Sequence, residues 1–283
     1  MIGGTVPDWI TRHFSSLSDV VPLPASGQKH VYFAIEQEKA VVLKTFKADA
    51  RERRSLREIE MASRIKSARV PRLLAHGAVD LDGGHILWLK EERLPGDSVR
   101  HRMKDGPLEW NSIYTVCDHV LEALEDAEAQ RVVHRDVKPE NIILAHDKTQ
   151  AWLVDFGIAR DLGSESITGT ENIFGPCTFG YASPEQIHNR KGEIDSRSDL
   201  FSLAITIYEL SEGENPLLAG ANGPMEIADR TENFPLPRLR NVKDQRFADL
   251  IEAMSRARRD HRPKNVAEAR AWFREISPAR CDR

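Results

Sequence analysis

The segment His134-Arg135-Asp136-Val137-Lys138-Pro139-Glu140-Asn141 decides the fold and the chemistry of this sequence. An apolar run, Ile142-Ile143-Leu144, follows it, and a second apolar run leads into Asp155-Phe156-Gly157. The polar groups therefore lie at the ends of strand-like runs, where the backbone can hold them in fixed positions. An isolated Asp-Phe-Gly triplet carries little information, whereas both segments in this order and spacing are specific.

The sequence before this segment has the pattern of a small β-rich region. Between Val20 and Leu43, β-like runs alternate with polar breaks, which predicts two or three antiparallel strands joined by short turns. Two further strand-like runs, Leu73–Val79 and His85–Leu89, flank the turn residues Asp82-Gly83-Gly84. A charged helix is predicted over Ala48–Ser67, because its apolar residues recur at helical spacing.

The sequence after Leu94-Pro95-Gly96 has the pattern of a mostly helical region. Its main helices are predicted at Trp110–Ala129, Asp199–Glu212 and Phe247–Arg258. A β-rich lobe, a connector and a larger helical lobe make a two-lobed α+β protein, with a ligand cleft expected at the connector. The predicted bounds within a single domain, 1–283, are about 18–92 for the N-lobe, 93–97 for the hinge and 98–277 for the C-lobe.

Composition excludes several other classes of protein. With 283 residues, of which 40% are hydrophobic and 30% charged, the chain is an ordinary globular protein rather than a disordered or fibrous one. The longest mostly apolar stretch, Leu200–Leu210, is interrupted by polar residues and is shorter than the roughly 20 residues of a membrane span. The N-terminus lacks the pattern of a secretory signal, so a cytoplasmic location and no membrane partner are expected.

Charge and cysteine content exclude two further possibilities. The formal net charge of -4 gives no basic field for nucleic acid, so no nucleic-acid partner is expected. The three cysteines lie far apart without a Cys-x-x-Cys pair, which argues against a disulfide framework and a zinc site. The locally basic stretches 51–57 and 256–264 are better interpreted as solvated helix faces. The sequence does not indicate an oligomeric state, which is unknown.

His134–Asn141, its apolar run and Asp155-Phe156-Gly157 together resemble the catalytic core of eukaryotic-type (Hanks-type) serine/threonine protein kinases. The resemblance extends over roughly Val20 to Ile276. It implies a protein-kinase-like fold, with a small antiparallel β-rich N-lobe that carries one main helix and a larger, mostly helical C-lobe. It also implies ATP and Mg2+ as cofactors and a protein substrate with a Ser or Thr acceptor.

The resemblance assigns roles to four residues of this core. Asn141 and Asp155 are the expected Mg2+ ligands, since the metal offsets the charge of the triphosphate. Asp136 is the expected catalytic carboxylate, which orients the acceptor hydroxyl and receives its proton. Lys138 can neutralise charge on the transferred phosphate and is typical of Ser/Thr rather than Tyr kinases. A turn-capping role is the alternative for an Asp in an isolated loop, and the surrounding motif argues against it for Asp136.

In the β-rich region, Val41-Val42-Leu43-Lys44 resembles the strand whose lysine contacts the α- and β-phosphates and pairs with a helix glutamate. Lys44 has that role by resemblance, although an apolar run that ends in lysine is also common at strand ends. Glu58 is the preferred partner and Glu60 the alternative, because the two lie on different helical faces. The interval from Lys44 to Glu58 is shorter than usual, which implies a short or missing preceding helix.

The sequence departs from the family at the glycine-rich loop. Where the family has three glycines, Leu23–His30 retains only Gly27 as a candidate nucleotide contact. Glycines let backbone amides approach phosphates, so their loss predicts a stiffer loop or weaker ATP binding. This departure favours a pseudokinase, whereas the complete set of catalytic residues elsewhere favours an active enzyme.

The connector Glu91–Asp97 resembles the hinge whose backbone groups bind adenine, which makes Glu92 an expected adenine contact. Counting from Gly96 places Glu91 at the gate behind the adenine pocket, where it is an unusual residue. Asp97 matches the position that often binds ribose hydroxyls. A helix N-cap is an equally good interpretation of Asp97.

Residues 175–185, Gly-Pro-Cys-Thr-Phe-Gly-Tyr-Ala-Ser-Pro-Glu, resemble the end of a kinase activation segment. By that resemblance Thr178 places a hydroxyl beside the catalytic Asp and Lys, on the shelf that receives the substrate. Glu185 is expected to form a buried ion pair with Arg262. Asp199 is expected to brace the backbone of the catalytic loop.

The span between Gly157 and Thr178 is polar, rich in hydroxyl groups and without an apolar period. Arg135 resembles the arginine with which kinases bind a phosphate on this segment. The resemblance therefore implies regulation by phosphorylation, with Thr168 and Thr170 as the preferred sites. An unmodified flexible loop is the alternative.

The sequence as a whole predicts an ATP-dependent serine/threonine protein kinase that phosphorylates proteins, including itself. A pseudokinase scaffold with weakened ATP binding is one alternative, and a small-molecule phosphotransferase is the other. Ser183-Pro184-Glu185 and its predicted partner Arg262 argue against the second alternative, because they shape a shelf for a peptide.

Overall fold

The computed structural model describes residues 5–23, 29–48, 59, 63–81, 84–156, 177–240 and 242–276. These residues divide into two compact units, with a boundary between Leu94 and Pro95. The first unit comprises the described residues up to Arg64 together with Pro71–Leu94. The second comprises Ile65–Val70 and the described residues from Pro95 onward.

The first unit is built on a five-stranded sheet in which every neighbouring pair is antiparallel. Its strands are β1 (Leu17–Leu23), β2 (Lys29–Glu36), β3 (Lys39–Ala48), β4 (Leu73–Leu81) and β5 (Gly84–Glu92). Their spatial order is β1-β2-β3-β5-β4, so β3 and β5 are inner strands. The antiparallel strands predicted from the alternating pattern are confirmed.

A short helix, α1 (Asp8–His13), precedes the sheet, and the sequence pattern does not indicate it. Its Ile10 is fully buried in a cluster that contains Phe14, Tyr32 and Leu43. The ring of Phe14 also meets Trp88 edge-on, with 4.9 Å between the ring centroids. The helix therefore covers one face of the sheet. Six residues are too few to display a helical period, and only the buried face makes this helix stable.

The face of the sheet opposite to α1 carries Lys44. Successive residues of a strand point to opposite faces, so Lys44 and Phe46 face away from Leu43 and α1. Phe46 packs in a second buried cluster with Leu89 and Ile59. The predicted helix over Ala48–Ser67 lies largely outside the described residues. Within it, the carbonyl of Ile59 accepts a helical hydrogen bond from the backbone amide of Ser63 at 2.9 Å.

The second unit is mostly helical. Its helices are α2 (Val99–Arg102), α3 (Trp110–Ala129), α4 (Pro184–Ile187), α5 (Ser196–Glu212), α6 (Pro224–Asn233), α7 (Gln245–Met254) and α8 (Val266–Ile276). Short 3-10 turns occupy Met103–Asp105, Pro139–Asn141 and Arg259–His261. A small antiparallel sheet contains β6 (Gly96–Ser98), β7 (Ile142–Ala145) and β8 (Ala151–Leu153), in that order. A β-rich first unit and a helical second unit agree with the predicted α+β class.

Two predicted helices have different bounds in the structure. Helix α5 begins at Ser196 rather than Asp199, because the side chain of Asp195 caps it by accepting from the amide of Arg197 at 3.0 Å. Helix α7 ends at Met254 rather than Arg258. The carbonyls beyond its end, on Arg256 and Ala257, accept hydrogen bonds from the Arg262 guanidinium at 2.7 and 2.9 Å instead of continuing the helix.

Helix α5 is the central element of the second unit. Residues 198–210 are all buried, which explains why the sequence there is apolar on every side rather than on one stripe. Its few polar side chains are therefore in the protein interior and need partners there. Within the part of the chain that the structure describes, no helix combines the length and the apolar character needed to cross a membrane.

Candidate active site

A buried aspartate of α5 holds the loop that carries Asp136 in place. Asp199 is 1% exposed and accepts hydrogen bonds from the backbone amides of His134 and Arg135, both at 2.7 Å. Arg135 adopts a left-handed backbone conformation with φ of 66°, which is costly for a residue with a side chain. The two hydrogen bonds hold this conformation, so the position of Asp136 is preset. The predicted bracing role of Asp199 is confirmed.

His134 connects this loop to the strand that ends before Asp155. Its Nδ1 accepts from the backbone amide of Asp136 at 3.2 Å, and its Nε2 lies 2.9 Å from the carbonyl oxygen of Val154. A carbonyl oxygen only accepts, so the ring carries its proton on Nε2 and is neutral. The ring also contacts Phe156, with 4.5 Å between the centroids. His134 therefore ties the two sequence motifs together through one fully buried side chain.

Asp136, Lys138 and Thr178 form a closed triangle of side chains. The ammonium of Lys138 lies 2.9 Å from Oδ2 of Asp136 and donates to Oγ1 of Thr178 at 3.2 Å. The hydroxyl of Thr178 donates to Oδ1 of Asp136 at 3.0 Å. The structure thus brings together the three residues that the motifs predict to be neighbours. A carboxylate and a lysine already hold an aliphatic hydroxyl at this position.

Asn141 and Asp155 lie at adjacent strand ends. Asn141 immediately precedes β7, Asp155 follows β8, and Ile142 pairs with Leu153 at the start of the ladder. The carbonyl oxygen of Asn141 accepts from the amide of Val154 at 2.9 Å. The side-chain amide of Asn141 donates to the carbonyl and to Oδ2 of Asp136, both at 2.9 Å.

These two residues fit a magnesium ion. Both hydrogens of the Asn141 amide point to Asp136, which leaves its side-chain oxygen as the atom available to a cation. One amide oxygen and the Asp155 carboxylate are hard donors, and Mg2+ in nucleotide sites takes its other ligands from phosphates and water. Among the described residues, no group of three or more His, Cys, Asp or Glu side chains could hold a metal by itself.

The shelf that contains Thr178 is anchored by a buried ion pair. Nη1 of Arg262 lies 2.7 Å from Oε1 of Glu185, and the two side chains are 0% and 3% exposed. Ser198 also donates to the same carboxylate at 2.6 Å. Burial opposes ionisation of Glu185, but the hydrogen bonds and charge of Arg262 outweigh it and hold the pKa of Glu185 below its usual value. The predicted pair is confirmed.

In the first unit, Lys44 pairs with a residue that the motif did not assign to it. Lys44 is 5% exposed, and its ammonium bonds to Oε2 of Glu91. In the register of β3 and β5, Lys44 lies opposite Leu89 and Val42 lies opposite Glu91, so lysine and glutamate are diagonal neighbours on one face.

Several predicted residues fall outside the described part of the chain. They are the expected Lys44 partner Glu58 and its alternative Glu60, the loop residue Gly27, and the phosphorylation sites Thr168 and Thr170.

The two predicted hinge contacts have structural partners. The side chain of Glu92 accepts from the amide of Arg72 at 2.9 Å, and its own amide donates to the Arg72 carbonyl at 3.1 Å, which joins β5 to the start of β4. Asp97, on β6, lies 3.3 Å from Arg102 and 3.5 Å from His146.

The interpretation of Asp97 as a helix N-cap is wrong. Asp97 pairs with Leu144 inside the β6–β7 ladder, and the cap of α2 is Ser98, whose side chain accepts from the amide of His101 at 3.2 Å. The preceding Gly96 allows this close pairing, because a Cβ at that position would overlap the carbonyl of Leu144.

A model of the protein kinase domain matches residues 26–272 of the chain. The chain belongs to the protein kinase family. The resemblance based on His134–Asn141 and Asp155-Phe156-Gly157 and the predicted fold class are thereby confirmed.

Several proteins of known name are similar to this chain. The serine/threonine-protein kinase PknL of Mycobacterium tuberculosis is 37% identical over 174 residues, which cover 60% of this chain and 42% of PknL. PknB of Mycobacterium leprae is 27% identical over 278 residues, or 94% of this chain and 43% of PknB. A probable serine/threonine-protein kinase of Clostridium acetobutylicum, CA_C1728, is 32% identical over 173 residues, or 61% of this chain and 25% of the relative. The chain spans less than half the length of each.

A partly buried network of hydrogen bonds around Tyr181 was not indicated by any sequence motif. Tyr181 donates to Oε2 of Glu209 at 2.5 Å, and Arg100 donates to the Tyr181 hydroxyl at 2.6 Å and to Oε1 of Glu209 at 2.7 Å. Arg100 also donates to Glu140 of the catalytic loop at 2.7 Å. Burial, and then the charge of Glu209, raise the pKa of Tyr181, so its hydroxyl stays protonated and donates.

Gln186 is a second residue that sequence reasoning missed. Its carbonyl oxygen accepts from the amide and the hydroxyl of Ser183 at 3.1 Å, and its amide nitrogen donates to the carbonyl of Arg135 at 2.9 Å. It therefore links the start of α4 directly to the catalytic loop of the kinase. The only sequence signal was a Ser followed three residues later by Gln, which is the pattern of a capping box.

Proposed function

We propose that this chain is an active serine/threonine protein kinase that transfers the γ-phosphoryl group of Mg-ATP to Ser or Thr hydroxyls of proteins. The observation that carries this proposal is the triangle of Asp136, Lys138 and Thr178. A hydroxyl bound between a carboxylate and an ammonium has the surroundings that an acceptor serine or threonine requires. The names of the relatives, which are serine/threonine-protein kinases, support the same conclusion.

The two oxygens of Asp136 have different tasks in this proposal. Oδ2 is held by the Lys138 ammonium and by the Asn141 amide, each at 2.9 Å, which fixes the orientation of the carboxylate. Oδ1 receives a hydroxyl hydrogen, as it does from Thr178 at 3.0 Å. An acceptor hydroxyl at this oxygen would be oriented for attack and could pass its proton to the carboxylate as the new bond forms. Lys138 would offset negative charge on the transferred group.

The remaining assignments concern ATP and its metal. The side-chain oxygens of Asn141 and Asp155 would hold Mg2+, which neutralises charge on the triphosphate when it is bound. Lys44 would bind the α- and β-phosphates, with Glu58 as a partner predicted from the sequence. The Glu92 backbone would contact adenine, Asp97 the ribose and Gly27 the phosphates.

The alternatives to an active protein kinase are less well supported. A binding scaffold has no chemical need for a carboxylate, lysine and amide bonded together as in this loop. A small-molecule phosphotransferase has no need for the peptide shelf that Glu185 and Arg262 anchor. We place the reaction in the cytoplasm, where ATP is available.

The test measures the transfer of radiolabelled phosphate from Mg-ATP by the purified chain. Casein and the chain itself serve as the acceptors. Asp136→Asn keeps the size of the side chain and removes the basic carboxylate, so kcat should fall by roughly 10²- to 10⁴-fold. Asp249→Asn is the control, because Asp249 pairs only at the surface, 2.7 Å from Arg238, and should behave like the parent. Full activity of a folded Asp136→Asn protein would contradict the assignment.

The same proteins test the predicted regulation. Peptide mass analysis of the parent and Asp136→Asn proteins from one host should find phosphate on Thr168 and Thr170 in the parent alone, if the kinase modifies itself. A parent protein that binds Mg-ATP and transfers no phosphate to any acceptor would support the pseudokinase alternative.

A further inference from the structure

The pair of Lys44 and Glu91 is buried in an apolar part of the first unit. The side chains are 7% and 15% exposed. Phe46, Leu87 and Leu89 lie on the same sheet face and are almost fully buried. An ammonium in such surroundings loses much of its hydration and requires a carboxylate beside it. Glu91 supplies that carboxylate through Oε2.

The position of Glu91 is set by the sheet itself. Strands β3 and β5 are both inner strands, and their ladder runs without a break from Val41 opposite Glu92 to Ala48 opposite His85. The two side chains meet as diagonal neighbours of this ladder. The carboxylate that holds Lys44 is thus carried by the same rigid element as the lysine, and backbone hydrogen bonds fix their separation.

We propose that Glu91 is a positioning residue for ATP binding, which acts by holding the Lys44 ammonium in place for the nucleotide phosphates. This inference rests on the proposed function, in which Lys44 binds the α- and β-phosphates. Lysine carries three donors on one nitrogen, so it can donate to a phosphate oxygen while it remains bonded to Glu91. A preset ammonium spares the ligand the cost of ordering a flexible side chain.

The experiment compares Mg-ATP affinity by calorimetry, together with kcat and KM, in four full-length proteins. They are the parent, Glu91→Gln, Lys44→Met and the double variant. Glu91→Gln keeps the size and removes the charge, and it should weaken Mg-ATP binding about tenfold or more. If Glu91 acts through Lys44, the double variant should bind Mg-ATP no more weakly than Lys44→Met alone, because the two changes remove one interaction.

Glu36→Gln is the matched control. Glu36 forms another ion pair with a lysine of the sheet, with Lys90 Nζ 2.6 and 2.7 Å from its two oxygens and side chains 20% and 14% exposed. Lys90 is the neighbour of Glu91 on β5 and therefore points to the opposite face. This variant should lower the melting temperature and leave Mg-ATP affinity unchanged, which separates loss of a buried pair from loss of lysine positioning.

A second variant keeps the test decisive if Glu91→Gln does not fold. Glu91→Asp retains the charge and withdraws the carboxylate by one methylene, so it should fold and weaken Mg-ATP binding less than Glu91→Gln. If either Glu91 variant binds Mg-ATP as tightly as the parent or more tightly, the inference is overturned. It is also overturned if Glu91→Gln weakens Mg-ATP binding by the same factor in the Lys44→Met protein as in the parent. If Lys44→Met itself binds Mg-ATP like the parent, the assignment of Lys44 fails, and the inference fails with it.

Discussion

Two buried ion pairs, one in each unit, differ in how their cations are bonded. In the second unit the Arg262 guanidinium uses all five of its hydrogens. It donates to both oxygens of Glu185 at 2.7 and 3.1 Å, and to the carbonyls of Arg197, Arg256 and Ala257 at 3.0, 2.7 and 2.9 Å. A planar cation with every donor occupied has no capacity left for a ligand.

The Lys44 ammonium in the first unit is a different kind of cation. It is a point charge at the end of a flexible chain, and its pairing with Glu91 does not impose the forked geometry of a guanidinium. In the proposed function this ammonium donates to phosphate oxygens of the nucleotide. The comparison teaches that two ion pairs shielded from water can differ in the geometry that their cations impose.

Removing Arg262 should have the largest effect on stability. Arg262→Met leaves Glu185 as a buried, unpaired carboxylate, so the free energy of unfolding should fall by about 3–5 kcal/mol. The double variant Glu185→Met with Arg262→Met removes both charges and should lose less. Urea denaturation measures both. Arg258, whose pair with Asp260 is exposed, provides the control Arg258→Met, for which little change is expected. If the double variant is as unstable as Arg262→Met, the loss of stability arises from packing and not from an unpaired buried charge.

The hydroxyl of Tyr181 should contribute less than the Arg262 pair. Tyr181→Phe keeps the ring and removes the bonds to Glu209 and Arg100, so the free energy of unfolding should fall by about 1–3 kcal/mol. A lower kcat is also expected, because the shelf loses its link to Arg100 and through it to the catalytic loop. Tyr208→Phe, outside this network, is the control for urea denaturation and kinetics. Equal losses in the two variants would refute a special role for the network.

The smallest effect is a pH dependence that arises from Glu185. The pKa of Glu185 is lower in the folded protein than its usual value, so the folded state binds the proton less tightly than the unfolded state. The stabilisation is therefore complete above the unfolded pKa and is lost as the pH falls through the folded pKa. One such group contributes a slope of at most about 1.4 kcal/mol per pH unit.

Unfolding free energies of the parent and Glu185→Gln proteins between about pH 3 and 6 test this dependence. The parent should lose more stability than the variant as the pH falls through this window. The exposed carboxylate of Glu109 gives the control Glu109→Gln, whose curve should follow that of the parent more closely. Parallel curves for the parent and Glu185→Gln would contradict the lowered pKa.

Local sequence patterns were sufficient to predict three of the seven described helices of the second unit, among them the two longest. Helix α3 has the predicted bounds, since an amphipathic period over many residues leaves little freedom in its assignment. Asp136, Asn141 and Asp155 were selected as site candidates because they occupy fixed places in a dense motif. The pairing of Glu185 with Arg262 followed from the same resemblance, although the two residues are far apart in the chain.

Residues without a local pattern could not be found in this way. Arg100 and Glu209 are separated by 109 residues in the chain, and nothing in either sequence neighbourhood marks the partner. Helix α1 is too short to show a period and depends on the cluster around Ile10. In both cases the stabilising contacts form only after distant segments have packed.

The sequence by itself determined the family, the α+β class and the candidate residues of the active site, because these depend on side-chain chemistry at short and fixed spacings. Only the tertiary structure decided that Glu91 pairs with Lys44 and that Arg100 donates to Tyr181 and Glu209. The physical reason is that an ion pair or hydrogen bond depends on distance in space, and strand register and helix packing set that distance after the chain has folded.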